Sequence, residues 1–459
     1  MDAAPAGKTA EQPDPAPRFV VGSTLRHVLV MTATGTAGLI AIFIVDLVSL
    51  LYISWLGDPS MTAGVGLATV LMFFTVSINV GLMIPIGALV SRALGARRPD
   101  DARRLATSCS ILMAVLATLV SIALLPLLPW ILRMLGAHGQ TLTVAHDFLL
   151  IALPTNVLMA LGMAFSTILR AAGDAKRSMY ATLSVAAVTV ILDPVLIFGL
   201  DLRTNGAAIT INISRVVYLV VAYLFVTRCH GLLTRPNLKG VMADARPFFA
   251  IAVPAILTNI AAPAANAFFT SIMARFGDPA IAASAIIDRV TPVAFGGLFA
   301  LAGAIGPVLG QNWGAQRYDR MKQILKDALN FTIIYVAGVW LILYLVRVPI
   351  TEAFHAQGLT AELVQFFCQL SGPIWFFVGL VFVSNASFNN LGYPLLSTFF
   401  NWGRATLGMI PFAYFGAEIG GPKGALIGIG LGSVAFGIAA IITAFWTIRR
   451  LERQASASS

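Results

Sequence analysis

The sequence predicts an all-α integral membrane protein with twelve transmembrane helices in two pseudo-symmetric six-helix bundles. Three observations predict this class. Of the 459 residues, 58% are hydrophobic and only 11% are charged, less than half of the roughly 25% that is typical of soluble domains. Apolar runs of about 20 residues or more, long enough to cross a bilayer, follow one another along the chain. Short motifs of the first half return in the second half. A soluble enzyme is therefore excluded.

Apolar runs bounded by charged residues, glycine or proline predict the individual helices. The twelve predicted spans are residues 27–55, 62–93, 106–132, 146–169, 178–200, 206–227, 247–275, 281–311, 328–346, 363–389, 393–415 and 423–447. They imply an N-terminal tail (1–26), an N-lobe of helices 1–6 (27–227), a linker (228–246), a C-lobe of helices 7–12 (247–447) and a C-terminal tail (448–459).

The distribution of positive charge predicts the orientation in the membrane. Of the 30 Lys and Arg residues, 22 fall on the face that holds both tails and the linker, and five fall on the other face. The remaining three, Arg215, Arg289 and Arg404, lie within spans. Because positive loops stay in the cytoplasm, we expect a multi-pass protein of the bacterial cytoplasmic (inner) membrane with both termini cytoplasmic.

An internal repeat relates the two halves. Four landmarks return in the same order at a nearly constant offset of about 220 residues, which is unexpected for unrelated halves. They are Gly57-Asp58-Pro59 with Gly277-Asp278-Pro279, Gly95-Ala96 with Gly314-Ala315, Gly173 with Gly392, and Gly206-Ala207 with Gly424-Ala425. Two six-helix bundles related by an axis along the membrane normal predict an alternating-access transporter.

Several functional classes lack the residues that they need. All five histidines lie at span ends or in loops, so we expect no catalytic centre and no metal site. The sequence Gly7-Lys8-Thr9 lacks the context of a phosphate-binding loop, which argues against ATP. We therefore expect no cofactor and no nucleic acid partner. The expected partners are the lipid bilayer and small organic substrates, and the expected state is a monomer driven by an ion gradient.

Two acidic residues are candidates for ion coupling. Asp46 on helix 1 and Asp193 on helix 5 are the only acids well inside a predicted span, and ionisable groups in a membrane are costly enough to suggest function. Both lie roughly 10 to 14 Å below the outer ends of their helices at 1.5 Å per residue. A carboxyl group beside a second one in such surroundings can take up and release a proton near neutral pH.

Structural alternatives remain open for these charges. Asp193 precedes Pro194 and could cap a helix that restarts after a proline kink. Arg215 could pair with Asp193, and Asp288 could pair locally with Arg289. The stripe of Gly35, Gly38, Asp46 and Ser49 on helix 1 could serve close helix packing alone.

Other polar or aromatic span residues complete the predicted sites. Thr189, Ser49, Thr210, Asn212 and Arg215 are expected to support the two acids. Asn79, Asn156, Phe165, Asn266 and Phe376 are expected to line a substrate cavity. Asn266 corresponds to Asp46 at the offset of the repeat, so ion coupling is expected in the first half only.

The ordered motifs resemble the multidrug and toxic compound extrusion (MATE) transporters over residues 25 to 447. The resemblance rests on Asp46 ahead of Trp55-Leu56-Gly57, and on Ser91 to Ala96, Leu169 to Asp174, Leu192-Asp193-Pro194, Gly206-Ala207-Ala208 and Gly306 to Ala315. It implies a V-shaped central cavity and export of organic, often cationic, compounds in exchange for H+ or Na+.

Within that family the sequence is similar to the DinF-like branch, whose acids on helices 1 and 5 match Asp46 and Asp193. Ala262 stands where other branches carry an acid on helix 7. Thr189 replaces an Asn of the branch, and Ile211 replaces a Thr, although Thr210 and Asn212 flank it. Having fewer oxygen ligands favours H+ over Na+.

The sequence thus predicts a proton-coupled antiporter for multidrug or toxin efflux. The alternative within the same superfamily is a flippase for a lipid-linked polysaccharide or cell-wall precursor, which would need a cationic cavity built from Arg215, Arg289 and Arg404. The third alternative is a membrane enzyme or scaffold. The sequence argues against it, because the predicted spans contain no constellation of His, Cys or Glu.

Overall fold

A computed structural model describes residues 17–458, and this part of the chain is helical without a strand. Residues 1–16 of the predicted tail and Ser459 lie outside the described residues. The helices of the first half are α1 (Thr24–Ser54), α2 (Pro59–Gly95), α3 (Pro99–Met134), α4 (Gly139–Ala152 and Asn156–Ala171, bent by 52°), α5 (Ala175–Gly199) and α6 (Arg203–His230). Those of the second half are α7 (Leu238–Ala274), α8 (Asp278–Gly314), α9 (Tyr318–Ala353), α10 (Gly358–Asn390), α11 (Pro394–Ala405, continued by residues 410–419) and α12 (422–458).

The helices agree in number with the twelve predicted spans. In the described part of the chain, ten stretches are long and apolar enough to span a membrane, and the bent α4 makes eleven. One of the ten, Pro394–Ala457, contains a non-helical break at Gly420 and Gly421. It therefore supplies both α11 and α12, and the predicted all-α membrane fold is confirmed.

The turn between α11 and α12 folds the chain into a close antiparallel hairpin. A Cβ atom added to Gly424 would lie 1.9 Å from the carbonyl oxygen of Gly416, and one added to Gly432 would lie 1.3 Å from that of Gly408. From Gly424 to Gly432 the chain advances by eight residues, while their partners go back by eight residues, from Gly416 to Gly408. This is the pattern of two antiparallel helices. Small residues allow such close approach of backbones.

We expect Gly432→Ala to lower the free energy of unfolding by about 1–3 kcal/mol, because the added methyl group forces the two helices apart. The measurement is thermal unfolding of the purified protein in detergent. Gly420→Ala is the matched control, because a Cβ there meets no atom within 4 Å. Equal melting temperatures of the two variants would contradict the hairpin packing.

The loops of the two halves share their backbone conformations, as an internal repeat requires. Left-handed φ angles recur at the offset that the sequence landmarks show. The pairs are Gly57 (74°) with Gly277 (86°), Arg97 (56°) with Gln316 (54°), Gly136 (91°) with His355 (50°), Gly139 (54°) with Gly358 (55°), and Gly173 (84°) with Gly392 (84°). Non-glycine residues rarely adopt this conformation, so its repetition indicates that each half has the same chain path.

The first helix of each half packs across to the other half. Val28 and Met31 of α1 belong to the large apolar cluster that is otherwise built mainly from the second half. Phe248 and Ile251 of α7 belong to a cluster of the first half. The lobe limits at residues 27–227 and 247–447 stay a prediction, and α7 begins at Leu238, nine residues before the predicted limit.

Candidate ion-coupling site and the junction between the halves

Asp193 lies at the end of the regular part of α5, close to α1 and α6. The helix continues through Pro194 into a wider π-helical turn at Val195–Gly199, so Asp193 does not cap a restarted helix and that alternative is wrong. Its side chain accepts a hydrogen bond from the Ser49 hydroxyl of α1. The Thr210 hydroxyl of α6 also lies within hydrogen-bonding reach. Asp193 is only 2% exposed.

Asp46 stands beside this buried carboxyl group. It lies on α1 one turn before Ser49, and its charge interacts with that of Asp193. In contrast to Asp193, Asp46 is exposed. The two acids that the sequence singled out on separate helices therefore come together as one accessible and one covered carboxyl group. Such a pair can exchange a proton with water that enters from one side.

Three of the predicted supporting residues donate hydrogen bonds to backbone carbonyl groups rather than to the two acids. The Thr189 hydroxyl donates to the carbonyl of Val185 within α5. Arg215 donates to the carbonyl of Ala152 and to the Thr155 hydroxyl, at the bend of α4. The expected pairing of Arg215 with Asp193 is therefore wrong. The guanidinium instead donates to a carbonyl group that has no partner within the helix because α4 is broken there.

Asn212 has a similar structural role. Its amide donates to the carbonyl of Ile151, and its side-chain oxygen accepts from Thr155. Both polar ends of the side chain are thus used at the bend of α4, on the neighbouring helix. Ser49 donates to Asp193, and Thr210 lies within reach of it although its hydroxyl donates to the carbonyl of Gly206 in its own helix.

The residues predicted to line a substrate cavity are separated in the structure. Asn79 donates to Asn156 at 2.8 Å, and both are 1% exposed. Phe165 is buried and packs against Tyr223. These three lie inside the first half, so their burial leaves them out of an open cavity in this conformation. Asn266 is exposed on α7, and Phe376 is half-buried on α10.

The first helix of each half approaches the other half closely at a pair of symmetry-related positions. A Cβ atom on Gly35 of α1 would lie 3.2 Å from the Cβ of Ala300 of α8, and one on Gly81 of α2 would lie 2.7 Å from Ile256 of α7. Asp46 follows Gly35 by eleven residues, which is three helical turns, so it lies on the same face of α1. It therefore looks towards the space beside α8 on the side away from the chain termini.

Arg289 occupies the corresponding position on α8. It precedes Ala300 by eleven residues and is exposed, as is the neighbouring Asp288. Across residues 17–458, neither side chain has a hydrogen bond or an ion pair, so the expected local pairing of Asp288 with Arg289 is wrong. An unpaired charge that faced lipid would be costly, which favours an orientation of this pair towards the cleft between the halves.

The halves are joined by a dense junction on the face that carries the chain termini. Arg92 of α2 lies 3.6 Å from the centre of the Trp313 ring and donates to the carbonyl of Asn390. Gln311 of α8 donates to the carbonyl of Ala171 at 2.7 Å. Over the described ranges, the hydrogen bonds and ring contacts between the halves lie on this face. Sequence reasoning gave these residues no role, although Arg92, Gln311 and Trp313 lie in the motifs Ser91 to Ala96 and Gly306 to Ala315.

Glycines bring the backbones together at the same junction. A Cβ atom on Gly95 would lie 2.0 Å from the carbonyl oxygen of Gln311, and one on Gly314 would lie 2.1 Å from that of Arg92. These two glycines are equivalent positions of the internal repeat. The crossing of α2 and α8 is therefore symmetric, and it has no room for a side chain.

Asp174 on the same face is a fixed anion rather than a coupling group. It caps α5 through the backbone N–H of Arg177 and lies 2.9 Å from His230 Nε2 at the end of α6. Burial alone would raise the pKa of Asp174, but hydrogen bonds from His230 and Arg177 outweigh it and hold the pKa well below its usual range. The carboxyl group thus stays ionised near neutral pH and joins the start of α5 to the end of α6.

Comparison with protein families decides the kind of protein. The MatE family model matches residues 36–195 and 254–415, which together are more than half of the chain. The chain belongs to the MATE family. The two matched segments are nearly equal in length and are separated by the offset of the internal repeat, so each half of this MATE protein carries the family pattern. Members of this family are transporters rather than enzymes.

Curated relatives and solved structures agree with this assignment. Over 90% of this MATE chain and 93% of the relative, it is 27% identical to a FAD transporter of Shewanella oneidensis. It is also 27% identical, over 69% of each chain, to the multidrug export protein MepA of Staphylococcus aureus. A multidrug resistance MATE transporter solved in an outward-facing conformation is similar in fold, with a TM-score of 0.90 and 20% identity over 96% of this chain and all of that one.

Proposed function

We propose that this MATE transporter is a secondary active antiporter that exports organic compounds in exchange for H+ by alternating access. The observation that carries the proposal is the cluster of Asp46, Ser49 and Asp193, in which a buried carboxyl group lies beside an accessible one. With both termini cytoplasmic in the inner membrane, as the positive charges predict, the joined face is cytoplasmic and Asp46 looks outwards. This conformation would then be the outward-facing state. We expect the transporter to work as a monomer.

The surroundings of the two acids favour H+ over Na+. A sodium site needs several oxygen ligands directed at one point. The Thr189 hydroxyl is turned to its own helix, and the oxygen of Asn212 is occupied by Thr155. The Ser49 hydroxyl donates to Asp193 and the Thr210 hydroxyl lies within reach of it, and hydroxyl groups of this kind also suit a carboxyl pair that shares one proton.

The proposed exchange follows from competition for one negative charge. A proton that binds at Asp46 from outside removes the charge that would hold a cationic substrate, so the substrate leaves. After the cleft reopens to the cytoplasm, loss of the proton restores the charge. One pH unit supplies about 1.4 kcal/mol for this cycle, and exchange of one monovalent cation for one proton moves no net charge across the membrane.

The flippase alternative is less well supported because its cations do not form one cavity. Arg215 is buried at the bend of α4, and Arg404 is half-buried on α11. Arg289 is the one of the three that is exposed. A phosphate-rich headgroup would thus meet a single arginine in this part of the structure, on the wall opposite Asp46.

The proposal is tested by uptake of a fluorescent organic cation into inverted vesicles under an imposed pH gradient, and under a sodium gradient alone. We expect uptake with the pH gradient and none with sodium. Uptake that requires sodium would overturn the choice of ion. Absence of uptake under both gradients, together with acceleration of headgroup-labelled lipid movement in proteoliposomes, would favour the flippase.

A further inference from the structure

Residues 17–23, here called the strap, run from the start of the described chain to α1 across the face that carries the termini. Phe19 is 3% exposed and belongs to the large apolar cluster of the second half, together with Ala175 of α5. Its ring lies edge-on to His27 at 5.3 Å. A residue in a predicted tail is thus as buried as the core.

The backbone of the strap is bound by side chains of the second half. The N–H of Phe19 donates to Gln311 Oε1 at 2.8 Å, and its carbonyl accepts from Asn312 Nδ2 at 3.1 Å and from Arg320 Nη2 at 2.9 Å. Arg320 also donates to the carbonyl of Gly22 at 2.9 Å. Both Gln311 and Asn312 are fully buried, so their two bonds to Phe19 are shielded from competing water.

Gln311 connects the strap to the contact between the halves. Its Oε1 accepts from Phe19 and its Nε2 donates to the carbonyl of Ala171 in the first half. The strap also meets the first half directly, because a Cβ on Gly173 would lie 3.1 Å from Arg18 Cβ. If the halves separate on this face, the Gln311 amide loses its bond to Ala171, and it also loses its bond to Phe19 if the strap moves with the first half. A buried polar group without a partner is costly.

We propose that the strap is a latch that stabilises the state in which the halves are joined on the face of the termini. The strap continues into α1, a helix of the first half, while its backbone is bound by Gln311, Asn312 and Arg320 of the second half. It is thus a covalent extension of one half that is held by the other. Opening of this face requires release of Phe19 from its pocket, and the strength of that contact sets the balance between the two states.

The test measures the distance between spin labels on Arg98→Cys and Arg317→Cys. These exposed positions lie on opposite halves at the junction. The exposed Cys229 is first replaced by Ser, and the buried Cys109 and Cys368 are retained. Pulsed electron paramagnetic resonance at pH 7, without substrate or ion gradient, then compares the otherwise unchanged chain with Phe19→Ala. We expect the ratio of open to joined molecules on this face to rise about tenfold, because the large buried ring is lost.

Two further variants make the result decisive. Val21→Ala is the matched control, because the Val21 side chain is 64% exposed in the same strap, and it should leave the distances unchanged. Phe19→Leu should give a smaller shift in the same direction, and it decides the question if Phe19→Ala is not recovered folded. Folded Phe19 variants whose distances coincide with those of Val21→Ala would overturn the latch. Since the measurement needs no transport, it is readable whether or not proton coupling holds.

Discussion

Replacement of Asp46 by Asn is expected to reduce proton-driven uptake of an organic cation by more than about tenfold. Asparagine has nearly the same shape as aspartate, but it cannot take up a proton, so protonation can no longer favour one state over the other. The buried Asp193 would remain bonded to Ser49, without an accessible partner from which to receive a proton. The measurement is initial uptake into inverted vesicles under a fixed pH gradient.

Asp288→Asn is the matched control for this experiment. Asp288 is another exposed acid within a transmembrane helix, but it belongs to the second half, where no coupling is expected. Its replacement should leave uptake dependent on the pH gradient, whereas Asp46→Asn should remove that dependence. Full loss with Asp288→Asn and retention with Asp46→Asn would move the coupling group to the second half and contradict the proposed site.

Gly314→Leu is expected to abolish transport by preventing closure of the face that carries the termini. The first added carbon would already lie 2.1 Å from the carbonyl oxygen of Arg92 across the junction, far inside van der Waals contact. Because the clash is between the halves, each bundle can still fold while α2 and α8 are held apart. We expect normal yield, uptake lowered by more than about tenfold, and long distances between labels at Arg98→Cys and Arg317→Cys.

The control for Gly314→Leu lies on the same helix. Gly303 of α8 is exposed, and a Cβ there would meet no atom within 4 Å, so Gly303→Leu adds the same side chain to the same helix where its first carbon has room. Uptake by this variant should stay close to that of the unaltered protein. Normal uptake by Gly314→Leu would show that the crossing of α2 and α8 need not close during transport.

Predictions from the sequence succeeded where the signal is local in the chain. The twelve apolar runs correspond to the helices because each span must be apolar over a length set by the bilayer. The repeat was visible because its turns need glycine or other left-handed residues at fixed positions. The same kind of local signal singled out Asp46 and Asp193, because charge is rare within a span, and their role in ion coupling stays a prediction.

Predictions failed where a side chain had several neighbours to choose from. Arg215 was expected beside Asp193, yet it bonds the α4 backbone at Ala152, because the bend of α4 exposes carbonyl groups that no sequence pattern announces. Asn79 and Asn156 were expected in an open cavity, yet both are buried and Asn79 donates a hydrogen bond to Asn156. A polar residue in a span is readable from the sequence, but its partner is not.

The sequence by itself thus determined the membrane class, the twelve helices, the two-fold repeat and the pair of acids, because each depends on composition or spacing along one chain. Only the tertiary structure decided that Asp193 is covered and Asp46 accessible, that α2 and α8 cross without room for a side chain, and that residues 17–23 are bound to the second half. These features arise from contacts between segments as far apart as Phe19 and Gln311. Such contacts depend on how helix surfaces fit together in three dimensions.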